Sequence, residues 1–141
     1  MLTRRLLALT TGAVILVGAT PVALAATKNG VTPVSPKAGG TVAAGKAAIF
    51  KMRINGPGQV WVHVCKKAKK DSKGVICNKE AIFRARKKTG TLYQGKAKFY
   101  DYDGFWLNSP GTYYWQAHRI SCEGNLNDCL QEGPVVRFKV G

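Results

Sequence analysis

The side chains of this 141-residue chain that could act on a substrate or hold a metal are few: two histidines, four cysteines and seven acidic residues. His118 and Cys122 stand in one stretch with three aromatic residues, Tyr113, Tyr114 and Trp115. The acidic residues are scattered without an evident pair, and the sequence has neither a nucleophile elbow nor a glycine-rich phosphate loop. The sequence therefore predicts a protein that is not an enzyme and that uses no cofactor or metal ion.

The four cysteines could form disulfide bonds or bind zinc. Four cysteines allow three pairings, and short sequence separations favour two local bridges, Cys65 with Cys77 and Cys122 with Cys129. Each bridge would stabilise the fold by about 2–3 kcal/mol through loop-closure entropy. Zinc is the alternative, but its usual CxxC pairs are absent. Disulfides are therefore predicted, and they persist in oxidising compartments.

The first 25 residues have the pattern of a secretory signal peptide. Arg4 and Arg5 precede an apolar run over residues 6–19, and the Ala-Leu-Ala sequence at residues 23–25 provides a cleavage site. The apolar run is about 14 residues long, shorter than the ~20 residues that span a bilayer. We therefore expect residues 1–25 to be removed and residues 26–141 to be secreted, as one extracellular domain without a transmembrane segment.

Short stretches of alternating hydrophobicity indicate β-strands along the remaining chain. Phe50, Met52 and Ile54 share one face of a predicted strand, and residues 59–65 alternate three valines with other side chains. Glycine, proline and asparagine turns separate such stretches, and no convincing amphipathic helix is visible. The pattern predicts an all-β fold, a single antiparallel β-sandwich of about seven strands, with a small barrel as the alternative.

Several of these stretches resemble fibronectin type III-like and immunoglobulin-like domains. The matching segments are Val34-Ser35-Pro36, Phe50, Val60-Trp61-Val62-His63-Val64, Gly111-Thr112-Tyr113-Tyr114-Trp115-Gln116-Ala117 and Gly133-Pro134-Val135-Val136-Arg137-Phe138-Lys139-Val140. The resemblance covers most of residues 26–141. It implies that Tyr113 forms a tyrosine corner, with its hydroxyl bonded to upstream backbone, and that Trp115 packs between the sheets. The cysteines and a long basic connection after the third strand depart from the pattern, so individual function is expected there.

Alternation divides the aromatic stretch between two faces of one strand. The predicted core face carries Tyr113, Trp115, Ala117 and Arg119, and the opposite face carries Tyr114, Gln116, His118 and Ile120. His63 lies on a neighbouring strand of this fold class, also opposite the core, so the two histidines could approach each other. With Asp101 or Asp103 they would offer metal ligands, but surface histidines are more often unliganded, and no metal site is predicted.

Basic residues concentrate between Lys66 and Lys88, where ten basic and two acidic residues give a net charge of +8. The predicted polyanion-binding residues are Lys66, Lys67, Lys69, Lys70, Lys73, Arg84, Arg86, Lys87 and Lys88. A basic segment held at a Cys65 disulfide suits an anionic envelope polymer or an acidic lipid surface. Nucleic acid is not the expected partner, because no groove-reading or RNA-stacking motif is present. The alternative is a solvated loop that only keeps the protein soluble.

A second candidate surface is an aromatic patch of Trp61 and Tyr114, both predicted to face outward. Such a patch would stack on sugars or pack on another protein, unless it merely covers the sheet beneath a loop. Together the two surfaces predict a secreted, non-catalytic binding module whose partner is an anionic envelope polymer. The alternative is an exported structural or accessory envelope protein that acts by self-association or as partner to another exported protein.

Overall fold

The structure is a computed structural model, and it describes residues 25–76, 81–97, 107, 109–122 and 129–141. Its strands are β1 (Val31–Ser35), β2 (Thr41–Val42), β3 (Ile49–Ile54), β4 (Gln59–Cys65), β5 (Ala81–Thr89), β6 (Leu92–Lys96), β7 (Gly111–Ile120) and β8 (Leu130–Val140). The described ranges contain no helix with the length and hydrophobicity needed to span a bilayer. The predicted signal peptide lies outside the described residues, apart from Ala25.

The eight strands form one curled sheet in the order β1-β3-β6-β5-β4-β7-β8-β2. All neighbouring strands are antiparallel except β2 and β8, which run parallel. β5 joins two halves of the sheet, because residues 81–85 pair with β4 whereas residues 86–89 pair with β6. The sheet curls far enough for β1, at one end of the order, to contact β8 near the other end.

The all-β prediction is confirmed, but the predicted strand number and pairing are not. An eight-stranded mixed sheet stands where seven antiparallel strands are expected. The sequence does not reveal β2, because Thr41 and Val42 are too few to show an alternation. Nor does the sequence reveal that β5 pairs with β4 along one part and with β6 along the other, because the sequence of a strand does not indicate its pairing partners.

The hydrophobic core is centred on Phe50 of β3, which is fully buried. Its ring centroid lies 5.5 Å from that of Phe83, 5.4 Å from that of Trp115 and 5.7 Å from that of Phe138. Those three rings come from β5, β7 and β8, so one side chain connects both halves of the sheet. Burial of a phenylalanine contributes about 1.5–3 kcal/mol, and edge-to-face ring pairs add to that.

Two buried polar atoms of β7 make the contacts that this core requires. The Tyr113 hydroxyl donates to the carbonyl oxygen of Ser109 at 2.9 Å, and Trp115 Nε1 donates to the carbonyl oxygen of Pro36 at 3.0 Å. Both side chains are buried. The predicted upstream hydrogen bond of Tyr113 and the predicted core position of Trp115 are therefore confirmed.

The opposite face of β4 and β7 is not the surface that the alternation predicts. Only 6% of His63, 0% of Gln116 and 4% of His118 is exposed. The reason is that the chain after β4 returns across this face and hydrogen-bonds to it. Arg119, predicted in the core, is half-buried and donates to the carbonyl oxygen of Pro57 at 3.1 Å, at the margin of the sheet.

Candidate binding surface

The element that covers this face is the segment of residues 66–76, which we call the strap. Its exposed lysines are Lys66, Lys67, Lys69, Lys70 and Lys73. Val75 and Ile76, at its end, are buried. The strap therefore inserts its apolar end into the protein and keeps its lysines exposed, where the desolvation cost of an ammonium group is small.

Asp71 shapes the turn of the strap. Its Oδ1 accepts hydrogen bonds from the backbone N–H groups of Lys73 at 2.8 Å and Val75 at 3.0 Å. Its own N–H donates to the Val75 carbonyl at 2.8 Å, and its carbonyl accepts from the N–H of Gly74 at 3.1 Å. Aspartate commonly folds a turn in this way. One carboxylate among five lysines thus gives the strap a defined backbone conformation.

Gln116 of β7 fixes the strap to the sheet. Its Oε1 accepts from the N–H of Ile76 at 3.0 Å, and its Nε2 donates to the carbonyls of Gly74 at 3.1 Å and Gly133 at 2.9 Å. The side chain is fully buried, so these bonds form where water cannot replace them. Gln116 therefore connects the strap, β7 and β8 through one amide.

His63 and His118 lie together beneath the strap, with ring centroids 4.6 Å apart. The predicted approach of the two histidines is therefore confirmed, but in the interior instead of on the surface. Burial lowers the pKa of His118 to about 3, with a further lowering by the nearby His63 and an opposing influence from Asp71. Within the described residues, His118 Nδ1 and the neighbouring Trp61 Nε1 are buried without a hydrogen-bond partner.

Glu132 of β8 is directly opposite His118 of β7 in the sheet register. It accepts from Lys28 Nζ at 2.7 Å. Partial burial raises the pKa of the Glu132 carboxyl, but the hydrogen bond and charge of Lys28, with the charge of Lys70, outweigh burial and lower it. The carboxylate therefore pairs with a lysine from before β1 and also attracts the charge of Lys70 on the strap.

The predicted polyanion-binding residues divide between two elements. The five lysines lie on the strap, whereas Arg84, Arg86, Lys87 and Lys88 lie on β5 and are exposed. Arg84 is paired in register with Trp61 of β4, so the β5 residues adjoin the covered face without belonging to the strap. The basic residues that the sequence interpretation assigns to one loop thus lie in two cationic regions, the strap and β5.

Trp61 and Tyr114 lie on the same face of the sheet, as the alternation predicts, but do not adjoin. Trp61 is opposite His118 in the register, and Tyr114 is opposite Cys65, four positions further along β4. At about 3.3 Å per residue they are roughly 13 Å apart. Both are half-buried, with the buried His63 and Gln116 between them. The two residues therefore do not form the continuous aromatic patch that was the second candidate surface.

The cysteine predictions are met where the structure describes them. Cys122 and Cys129 form a disulfide with a Cα separation of 5.7 Å, across the connection from β7 to β8. Cys65 is also in a disulfide, whereas Cys77 lies outside the described residues. Asp101 and Asp103, considered as metal ligands, lie outside them too, and the described part of the chain holds no group of three metal-ligating side chains.

Three features that position these surfaces are missing from the sequence interpretation. In that interpretation Asp71 contributes only to the net charge, and Gln116 is only a polar residue on the outward face of its strand. The turn residue spacing of Asp71 and Gly74 is a signal that could have indicated an ordered strap. Lys96 lies on β6, which pairs with β5, and Lys51 and Arg53 lie on β3, one strand further from β5. Lys51 and Arg53 are remote from the basic cluster in sequence, and only the strand order brings them near it.

Comparison of the chain with protein-family models, with curated proteins and with solved structures gives no match. Its function is therefore inferred from its own residues. The candidates are the strap with its exposed lysines and the exposed arginines of β5.

Proposed function

We propose that the protein is an exported, non-catalytic binding module of the fibronectin type III-like or immunoglobulin-like class, and that its strap contacts an anionic cell-envelope polymer. The observation that carries the proposal is the fixed backbone of the strap. Asp71 folds it, Gln116 holds its end, and Cys65 precedes it in a disulfide. Lysines on an ordered segment lose less conformational entropy on binding than lysines on a free tail, so their charge is converted more fully into affinity.

Export and the proposed fold class rest on further observations. The Cys122–Cys129 disulfide is consistent with an oxidising compartment, as is the signal-peptide pattern before residue 26. The hydrogen bond from Tyr113 to Ser109 has the form of a tyrosine corner. These observations favour an exported module, and the high positive charge favours an anionic partner.

A binding experiment across a salt series tests the proposal. The chain from residue 26 onward would be bound to an anionic envelope preparation, beside a variant with Lys67, Lys69 and Lys70 changed to serine. Each contact with an anionic group releases counterions, so the variant should bind at least about tenfold more weakly at ~0.1 M salt and show a shallower salt dependence. These three lysines are exposed, so their replacement should leave the fold intact.

The matched control changes Lys37, Lys46 and Lys139 to serine, which removes the same charge from exposed positions elsewhere. It should bind nearly as the wild type does. Equal losses in the two triple variants would reduce the effect to net charge and contradict recognition by the strap. No binding by the wild type, together with self-association that salt hardly alters, would favour the alternative of an exported structural or accessory protein.

A further inference from the structure

A second cationic surface lies on the outer side of β3, β6 and β5. Side chains that are directly opposite in the register point to the same side of a sheet. Gln94 of β6 is opposite both Lys51 of β3 and Arg86 of β5. Phe50 and Met52, the neighbours of Lys51 on β3, point into the core. Lys51, Gln94 and Arg86 therefore form one row on the outside of the protein.

Neighbouring rows continue this arrangement. Arg53 is opposite Leu92, and Ile49 is opposite Lys96. Arg84, two residues before Arg86, projects to the same side of β5. The cations therefore lie in two lines, Lys51 with Arg53 on β3 and Arg84 with Arg86 on β5, and Lys96 stands at one end of the strand between them. We call these five residues and the β6 strip between them the track.

The strip between the two lines is uncharged, and its side chains are shorter than the lysines and arginines on either side. Leu92, Gln94 and Lys51 are half-buried, whereas Arg53, Arg84 and Arg86 are exposed. With a strand spacing of about 4.8 Å, the lines are roughly 10 Å apart, and successive cations along each line are about 6.7 Å apart. The surface thus has the form of a shallow channel with positive charge on both sides.

The positive charge of the track is not neutralised by the described residues. Their two acidic side chains are Asp71 and Glu132, which belong to the strap and to β8. Asp71 Oδ1 accepts from strap backbone, and Glu132 pairs with Lys28. No carboxylate of the described ranges forms an ion pair with Lys51, Arg53, Arg84, Arg86 or Lys96. Five cations without such partners favour an anionic ligand.

We propose that the track binds a linear polyanion, with the polymer extended along β6 between the two lines of cations. The inference takes its ligand class from the proposed function and adds a second contact surface, so it rests on that proposal. A single chain with regularly repeated phosphate groups can meet cations on both sides at once, and arginine binds phosphate through two parallel hydrogen bonds. The uncharged floor of Leu92 and Gln94 accommodates the neutral parts of such a chain.

Binding of inorganic polyphosphate across a salt series tests the track. The variant changes Lys51 and Arg86 to serine, one cation from each line, and the control changes Lys37 and Lys46 to serine. The chain from residue 26 onward, which contains all eight strands, is used with thermal unfolding to confirm folding. Loss of two phosphate contacts should reduce the logarithmic salt slope by about 1.4 and weaken binding roughly 25-fold at ~0.1 M salt, while the control changes little.

The strap variant of the preceding section separates the two proposals. If the Lys51 and Arg86 variant binds polyphosphate as the wild type does while the strap variant binds weakly, the track is overturned and the proposed function stands. If the track variant is impaired and the strap variant is not, the track is supported and the strap is wrong. The proposal that the track binds a linear polyanion is overturned if the wild type does not bind polyphosphate, or if it binds only phosphatidylglycerol vesicles.

Discussion

At the scale of single residues, the polar side chains on the covered face are buried structural groups and not surface residues that could bind a ligand. His63, Gln116 and His118 would be ordinary surface residues on an open sheet, and the alternation alone places them there. In the folded protein they are buried, and Gln116 makes three hydrogen bonds to the strap and β8. Their burial depends on which distant segment crosses the face, and the local sequence of β4 and β7 does not indicate that segment.

The buried position of His118 predicts a dependence of stability on pH. Folding lowers its pKa from 6.5 to about 3, chiefly through burial. The unfolded chain therefore binds the proton more readily, and the free energy of unfolding should fall as pH falls from about 6.5 towards 3, by up to roughly 1.4 kcal/mol per pH unit. The groups that face His118 are His63 on β4, Asp71 on the strap and Glu132 on β8.

Urea unfolding of the wild type and of His118→Leu between about pH 5 and 6.5 measures this effect, above the range in which ordinary carboxyl groups titrate. The variant should lose most of the slope contributed by this position, because leucine carries no proton. An unchanged slope in the variant would show that His118 does not titrate with unfolding.

At the scale of elements, the sequence predicts strands well and connections poorly. The alternation of Phe50, Met52 and Ile54 correctly places β3 and its core face. The aromatic stretch becomes β7, with Tyr113 and Trp115 buried as predicted. These strands can be predicted because local side-chain alternation reflects burial on one face of a sheet. The strap carries no such pattern, and its order depends on a buried amide forty residues away.

The attachment of the strap can be tested at Gln116. Replacement by leucine would leave the N–H of Ile76 and the carbonyls of Gly74 and Gly133 without this partner. A buried polar group left unpaired costs about 1–3 kcal/mol, so the variant should lose roughly 2–4 kcal/mol of unfolding free energy. Amide hydrogen exchange at Ile76 should become much faster as the strap separates from the sheet.

Gln59→Leu is the matched control, because Gln59 is exposed at the start of β4. It should leave both stability and exchange nearly unchanged. Retained protection of the Ile76 amide in Gln116→Leu would contradict the view that this one side chain fixes the strap.

At the scale of the whole molecule, lysines and arginines far outnumber acidic side chains. Formal net charge is +15 for the full sequence and +13 without Arg4 and Arg5. Among the described residues, the two acidic side chains are Asp71, which bonds to strap backbone, and Glu132, which pairs with Lys28. The total charge follows from composition, but its division into a strap and a track follows from strand order. The ligand class is therefore suggested by the sequence, whereas the contact surfaces require the fold.

The most direct test of strap recognition is chemical-shift mapping of backbone amides while the anionic envelope polymer is added to the chain from residue 26 onward. We expect the shifts to concentrate at residues 66–73 and to diminish as salt is raised, since screening shortens to about 8 Å at physiological ionic strength. Amides of residues 37–46, which also carry exposed lysines, should hardly change. Shifts that avoid the strap, or that are equal around every exposed lysine, would contradict recognition of the polymer by the strap.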